Sequence, residues 1–127
     1  MEVTTIEQSK RLLKLGIDPK TADLVYPAWT LSETPTEDVL SIIDGTLEEN
    51  DIPSWSLSAL MNLMPKIEFY KDEYHYVPCI ERYKDNLWIC KYTCAGADEH
   101  WYCDENVTDA AFKMVEWLLE NKYIKTP

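Results

Sequence analysis

Glycine is scarce in this chain: three residues in 127. Loops that cradle phosphate through closely approaching backbone therefore have little raw material. No apolar run approaches the ~18 residues of a membrane span. The opening segment, "MEVTTIEQSKRLLKLG", has no apolar core of the kind a secretory signal carries, so a cytoplasmic protein is expected. Histidine occurs twice, as His75 and His100, and the four cysteines (Cys79, Cys90, Cys94, Cys103) form no Cys-x-x-Cys pair. Cys90 and Cys94, if both lie in one strand, stand about 13 Å apart at ~3.3 Å per residue. Sulfurs sharing a zinc with ~2.3 Å bonds sit only about 4 Å apart. No metal or cofactor is expected, and in a reducing compartment the thiols read as small hydrophobes.

Basic residues are also few, 12 against 23 acids, which gives a net charge of −11. The deficit is uneven. Residues 33–51 hold Glu33, Glu37, Asp38, Asp44, Glu48, Glu49 and Asp51 with no Lys or Arg. Binding to nucleic acid or anionic lipid relies on cations that displace counterions, so both are disfavoured as direct partners. A basic protein partner is not.

What is present is a single domain's worth of apolar sequence: 46% hydrophobic residues, with five Trp and eight Tyr. A chain of this length buries about two-thirds of its unfolded surface and needs no disulfide or metal to fold. Thr5 followed by Gln8 forms a capping-box pattern, and Gly16 supplies a left-handed stop, predicting a helix over 6–15. Asp18-Pro19 then predicts one helical turn, leading to an extended piece at Leu24–Tyr26. Across 30–50 the reading stays divided. Thr34-Pro-Thr-Glu37 could open a short helix to Gly45, yet "VLSII" is β-branched enough for a strand.

"DIPSWSLSALMNLMP" sets Leu57, Leu60, Met61 and Met64 on one helical face between Pro53 and Pro65. With Ser56 as N-cap, Trp55 and Leu60 occupy the two positions of a hydrophobic staple, which is sufficient reason for Trp55 to be there. From Lys66 the period becomes two. "KIEFYK", "YHYVPCIERY", "LWICKYT" and "HWYC" read as strands joined by short turns, which requires an antiparallel meander. Trp88, Cys90 and Tyr92 share one face; Leu87, Ile89 and Lys91 share the other. Pro78 assigns its strand to an edge or a bulge. In the last segment Thr108 is expected to cap, with Val107 and Phe112 as a second staple. The stripe Ala111, Phe112, Val115, Leu118 and Leu119, widened by Trp117, must be covered by the sheet. The expected class is α+β: a meander of three to four strands packed by a C-terminal helix, with short N-terminal and central helices.

Two segments together, "DIPSWSLSALMNLMPK" and "DAAFKMVEWLLENKYIK", resemble a family of small, uncharacterised bacterial proteins often met in prophage-like regions. The N-terminal "EQSKRLLKLGIDPKTADLVY" is similar as well. The resemblance implies an α+β fold and no activity, so it transfers no functional residue. This chain departs from it at Lys122, where relatives tend to have Gly; Asn121 is expected to take the left-handed position instead. "SIIDGTL" is similar to a dehalogenase-type phosphatase loop, but the nucleophile's place is held by Ile42, which cannot attack phosphorus.

Adjacent acids such as Glu48-Glu49 and Asp98-Glu99 read as solvated turns. No nucleophile–base or cofactor motif is found, so catalytic residues are assigned to none. The expected function is a non-catalytic accessory protein acting by protein–protein contact. The alternatives are an acidic decoy that mimics nucleic acid and occupies a basic protein, and a small enzyme of unrecognised type. Tyr and Trp are enriched at interface hot spots, although most of those here are expected in the core. The candidate contact residues are Trp29, Trp55 and Trp101 with the acids Glu37, Asp38, Asp44, Glu48 and Glu49. Self-association through a sheet edge or aromatic patch is a further expectation.

Overall fold

The computed structural model describes residues 2–28, 37, 40–43, 45–70 and 74–127. Helix α1 spans Ile6–Lys14, and its capping box forms as the sequence requires: the Thr5 hydroxyl accepts from Gln8 N at 3.1 Å while Gln8 Oε1 accepts from Thr5 N at 2.9 Å. It stops by a Schellman arrangement, in which Gly16 N donates to Leu13 O and Ile17 N to Leu12 O. Gly16 has φ +96°. One 3₁₀ turn follows at Pro19–Thr21, capped by the Asp18 carboxylate, and then strand β1, Leu24–Tyr26.

β1 is the centre of a small sheet that the sequence does not announce. Strands β2 (Ser41–Ile42) and β3 (Ile52–Ser54) flank it, both antiparallel, with Leu24 opposite Ile42 on one side and Ser54 on the other. Pro53 sits in β3, an edge strand, where its missing N–H leaves no ladder bond unmade in the sheet interior. Of the divided reading over 30–50, the described end Ser41–Ile42 is strand.

Helix α2 covers Leu57–Leu63 with Ser56 as N-cap, its hydroxyl accepting from Ala59 N at 3.2 Å. The staple pair Trp55 and Leu60 are both 0% exposed and share one core cluster. The indole N–H donates to the Thr21 hydroxyl at 2.9 Å, so the one polar atom of the ring is satisfied. Trp55 N donates to the Thr4 hydroxyl, which also bonds the buried Ser9 and Ser54 hydroxyls. The Asp23 carboxylate accepts from both N and the hydroxyl of Ser56. Trp55 is thus clamped from two directions.

The expected meander is β4 (Val77–Tyr83), β5 (Leu87–Cys94) and β6 (Ala97–Asp104), in spatial order. Pro78 is on the edge strand, as its chemistry demands. Two corrections apply. Over its described residues 66–70, "KIEFYK" forms no strand; it contributes an isolated bridge, Ile67 opposite Tyr76, and its Phe69 joins an aromatic cluster with Tyr76, Tyr92, Trp117 and Tyr123. The last strand begins at Ala97 rather than near His100, since Ala95 (φ +49°) and Gly96 (φ +85°) make a two-residue turn with both residues left-handed.

Helix α3, Val107–Glu120, packs on β5 and β6 and buries Ala111, Phe112, Met114, Val115 and Leu118. Its cap is Asn106, accepting from Asp109 N at 3.0 Å, and not Thr108. Asn is as strong a cap as any residue, and Asp104 fixes it by accepting from Asn106 N. The frame therefore shifts, and Val107 and Phe112 no longer hold the staple positions. At the far end Tyr123 N donates to Leu118 O and Lys122 N to Leu119 O, a second Schellman arrangement. Its left-handed residue is Lys122 (φ +61°), while Asn121 keeps φ −99°, which corrects the expectation for Asn121. α1 and α3 are tied by Arg11–Glu116 at 3.0 Å and Gln8–Asp109 at 2.7 Å.

Candidate interaction face

Alternation along three paired strands sorts the meander into two faces. One carries Ile80, Cys90, Tyr92 and Tyr102 and lies against the core cluster that includes α3. Burial, with Cys79 as a smaller contributor, pushes the Cys90 thiol up to about 12, so it stays protonated and inert. The Tyr92 hydroxyl donates to Pro65 O at 2.9 Å, and burial raises its pKa too.

The opposite face carries Val77, Cys79, Glu81 and Tyr83 on β4; Leu87, Ile89, Lys91 and Thr93 on β5; and Asp98, Trp101 and Cys103 on β6. Two lateral rows cross it: Cys79–Lys91–Trp101 and Glu81–Ile89–Cys103. Lys91 Nζ meets Glu81 Oε1 at 2.6 Å and Asp98 Oδ2 at 3.1 Å. These partners raise the Lys91 pKa, and the Lys91 ammonium holds Asp98 below the usual carboxylate range. Around this ionic centre stand large apolar side chains open to solvent: Trp101 is 55% exposed, Tyr83 42% and Val77 40%. Between Lys91 and Thr93 the register slips, β6 spending one extra residue, so Asp98 and Trp101 reach the same face despite odd spacing.

His100 faces the other way. Its ring stacks on Trp117 at 3.7 Å and meets the Tyr102 edge at 5.0 Å. Nε2 is buried and has no hydrogen-bond partner among the described residues. Burial lowers the imidazole pKa from its ordinary value, with Glu99 opposing.

The structure separates the candidate contact residues. Trp101 is exposed. Trp55 is not, and a ring with no accessible surface cannot meet a partner, which corrects its inclusion. Glu48 and Glu49 are exposed in the loop before β3. The Glu37 carboxylate accepts from Ile6 N at 2.8 Å, at the positive end of α1. Trp29, Asp38 and Asp44 lie outside the described residues. Asp51, from the same acidic stretch, accepts from Ala28 N and Glu48 N, both at 2.8 Å, so it serves the backbone. The Glu81–Lys91–Asp98 centre was missed by sequence reasoning; its signal was the placement of Lys91 on the strand face opposite Trp88, Cys90 and Tyr92.

A cleft of about 400 Å³ lies between Pro19, Ala22, Ile43 and Leu47, and another of about 510 Å³ between Leu15, Leu119 and Ile124; neither histidine borders them. Among the described residues no helix is long and apolar enough to cross a membrane, and no three His, Cys, Asp or Glu gather as a metal site. No family model, no curated protein and no solved structure matches the chain.

Proposed function

We propose that this protein is a non-catalytic accessory protein that works by protein–protein contact, through the outer face of the β4–β5–β6 sheet. One observation carries the reading: Trp101 presents half its surface to solvent on that face, which also carries exposed Val77 and Tyr83. Exposed apolar side chains gathered on one face mark contact sites on soluble domains, and tryptophan is the residue most enriched among binding hot spots. The four free thiols support a reducing, cytoplasmic setting for this contact. The decoy reading has less support. It asks the acids of 33–51 to be free for a partner, and Glu37 and Asp51 are already used to satisfy backbone N–H groups.

The test is partner capture by the full chain, wild type against Trp101→Ala, at low and moderate salt. The reading expects capture that is lost in Trp101→Ala at both salt concentrations, with thermal melting unchanged. Capture that survives Trp101→Ala but collapses with salt would transfer the function to the acidic loop.

A further inference from the structure

The two edges of the meander differ. β4 carries Pro78, which lacks an N–H and cannot complete a ladder on a new neighbour. β6 has no proline. Among the described residues β6 pairs only with β5, and no backbone hydrogen bond joins it to anything else. A row of unpaired backbone donors and acceptors is a template for another strand. The register slip lies in its first half, so the regular stretch of this edge is Trp101–Asp104. Trp101 opens that stretch with its indole exposed.

Charge selects the occupant. Residues 97–106 contain Asp98, Glu99, Asp104 and Glu105 and no Lys or Arg. Lys91 shares itself between Glu81 and Asp98, Lys113 pairs with Asp104 at 2.9 Å, and Glu99 accepts from the Tyr70 hydroxyl. With the bases Lys91 and Lys113 counted against Glu81 and these four acids, an excess of negative charge stays along the edge. A second copy of the chain fits poorly. Antiparallel self-pairing would bring two edges that each carry excess negative charge against one another, between molecules of −11 each. A cationic strand meets neither objection, and its Lys or Arg beside Trp101 would lie over an indole face within cation–π reach.

We infer that β6 takes up an extended, Lys- or Arg-bearing segment of a partner protein as a fourth strand of the meander, with a cationic side chain against Trp101. The inference rests on the proposal that Trp101's face is the contact face, and adds the partner's conformation and charge.

Three blocked nonapeptides test it on the intact chain: alternating valine and lysine, the same with glutamate for lysine, and the lysine peptide with alternate backbone amides methylated. The last keeps every side chain but cannot form a ladder. Amide chemical shifts should move along 97–104 with the lysine peptide. Affinity should fall at least ~10-fold for the other two peptides and for Trp101→Ala, that factor being ~1.4 kcal/mol. Equal binding of the methylated peptide, shifts centred elsewhere, or no binding into the millimolar range overturns strand addition. If partner capture still depends on Trp101 in that event, the contact face stands and only the strand is lost. If it does not, both fall.

Discussion

Trp55 and Trp101 are the same residue in opposite circumstances. Trp55 enters a helix: Ser56 caps it, Leu60 closes over it, and Thr21 takes its indole N–H, leaving 0% exposed. Trp101 follows a slip in an edge strand, with Lys91 rather than a helix as its lateral neighbour, and keeps 55% of its surface. The difference teaches that an aromatic excess in composition does not measure an interface. What counts is whether the chain brings a second layer over the ring, and among the described residues only the inner face of the meander packs against a helix.

The widest separation should appear in stability. Trp55→Ala is expected to cost ~3–5 kcal/mol, as a large buried ring is replaced by a cavity, measured by denaturant unfolding. A loss below ~1 kcal/mol would mean the pocket collapses onto the missing ring and the contrast with Trp101 is shallow. Thr21→Val tests the polar half of the clamp. It leaves the indole N–H without its acceptor, and a loss of ~1–3 kcal/mol should follow unless water reaches the site.

His100, on the strand that carries Trp101 but turned inward, falls between the two. Its folded pKa is lowered, so below its ordinary value of ~6.5 the unfolded chain binds the proton first. Stability should therefore decline as pH drops from ~6.5 toward the folded pKa, and His100→Phe should flatten that decline. Asp98, lowered chiefly by Lys91, and Asp104, lowered chiefly by Asn106 N and then Lys113, act in the same direction. Their window is lower, from the ordinary carboxylate value near ~3.9 downward. A melting curve that is flat between neutral pH and the carboxylate range would remove the histidine contribution. The smallest effect belongs to Trp101→Ala, within ~0.5 kcal/mol of wild type. A larger loss would show that the exposed ring is holding the sheet together.

Helix ends were the most legible parts of this chain. Thr5 with Gln8, Gly16, Asp18-Pro19 and Ser56 each act within four residues, and the structure realises all of them. Thr108 was misjudged because Asn106, a cap of equal strength, stands two residues earlier and is itself fixed by Asp104. Lys122 shows context overriding local preference: the Schellman bonds to Leu118 and Leu119 hold it left-handed at a cost of ~1–2 kcal/mol. Lys122→Gly should recover much of that in a thermal melt. Trp101 and Trp55 were both among the candidate contact residues, although the Ser56 cap and Leu60 already gave Trp55 a local reason to be buried.

Sequence alone determined where α1 and α2 start and stop, that an up-and-down sheet follows them, and that Pro78 lies at an edge or a bulge. Those outcomes depend on sterics and hydrogen bonds among near neighbours. Tertiary structure alone decided that Leu24–Tyr26 pairs with 41–42 and 52–54, that Lys91 gathers Glu81 and Asp98, and which tryptophan is covered. Burial and strand pairing are relations between residues far apart in the chain, and local sequence holds only one side of each.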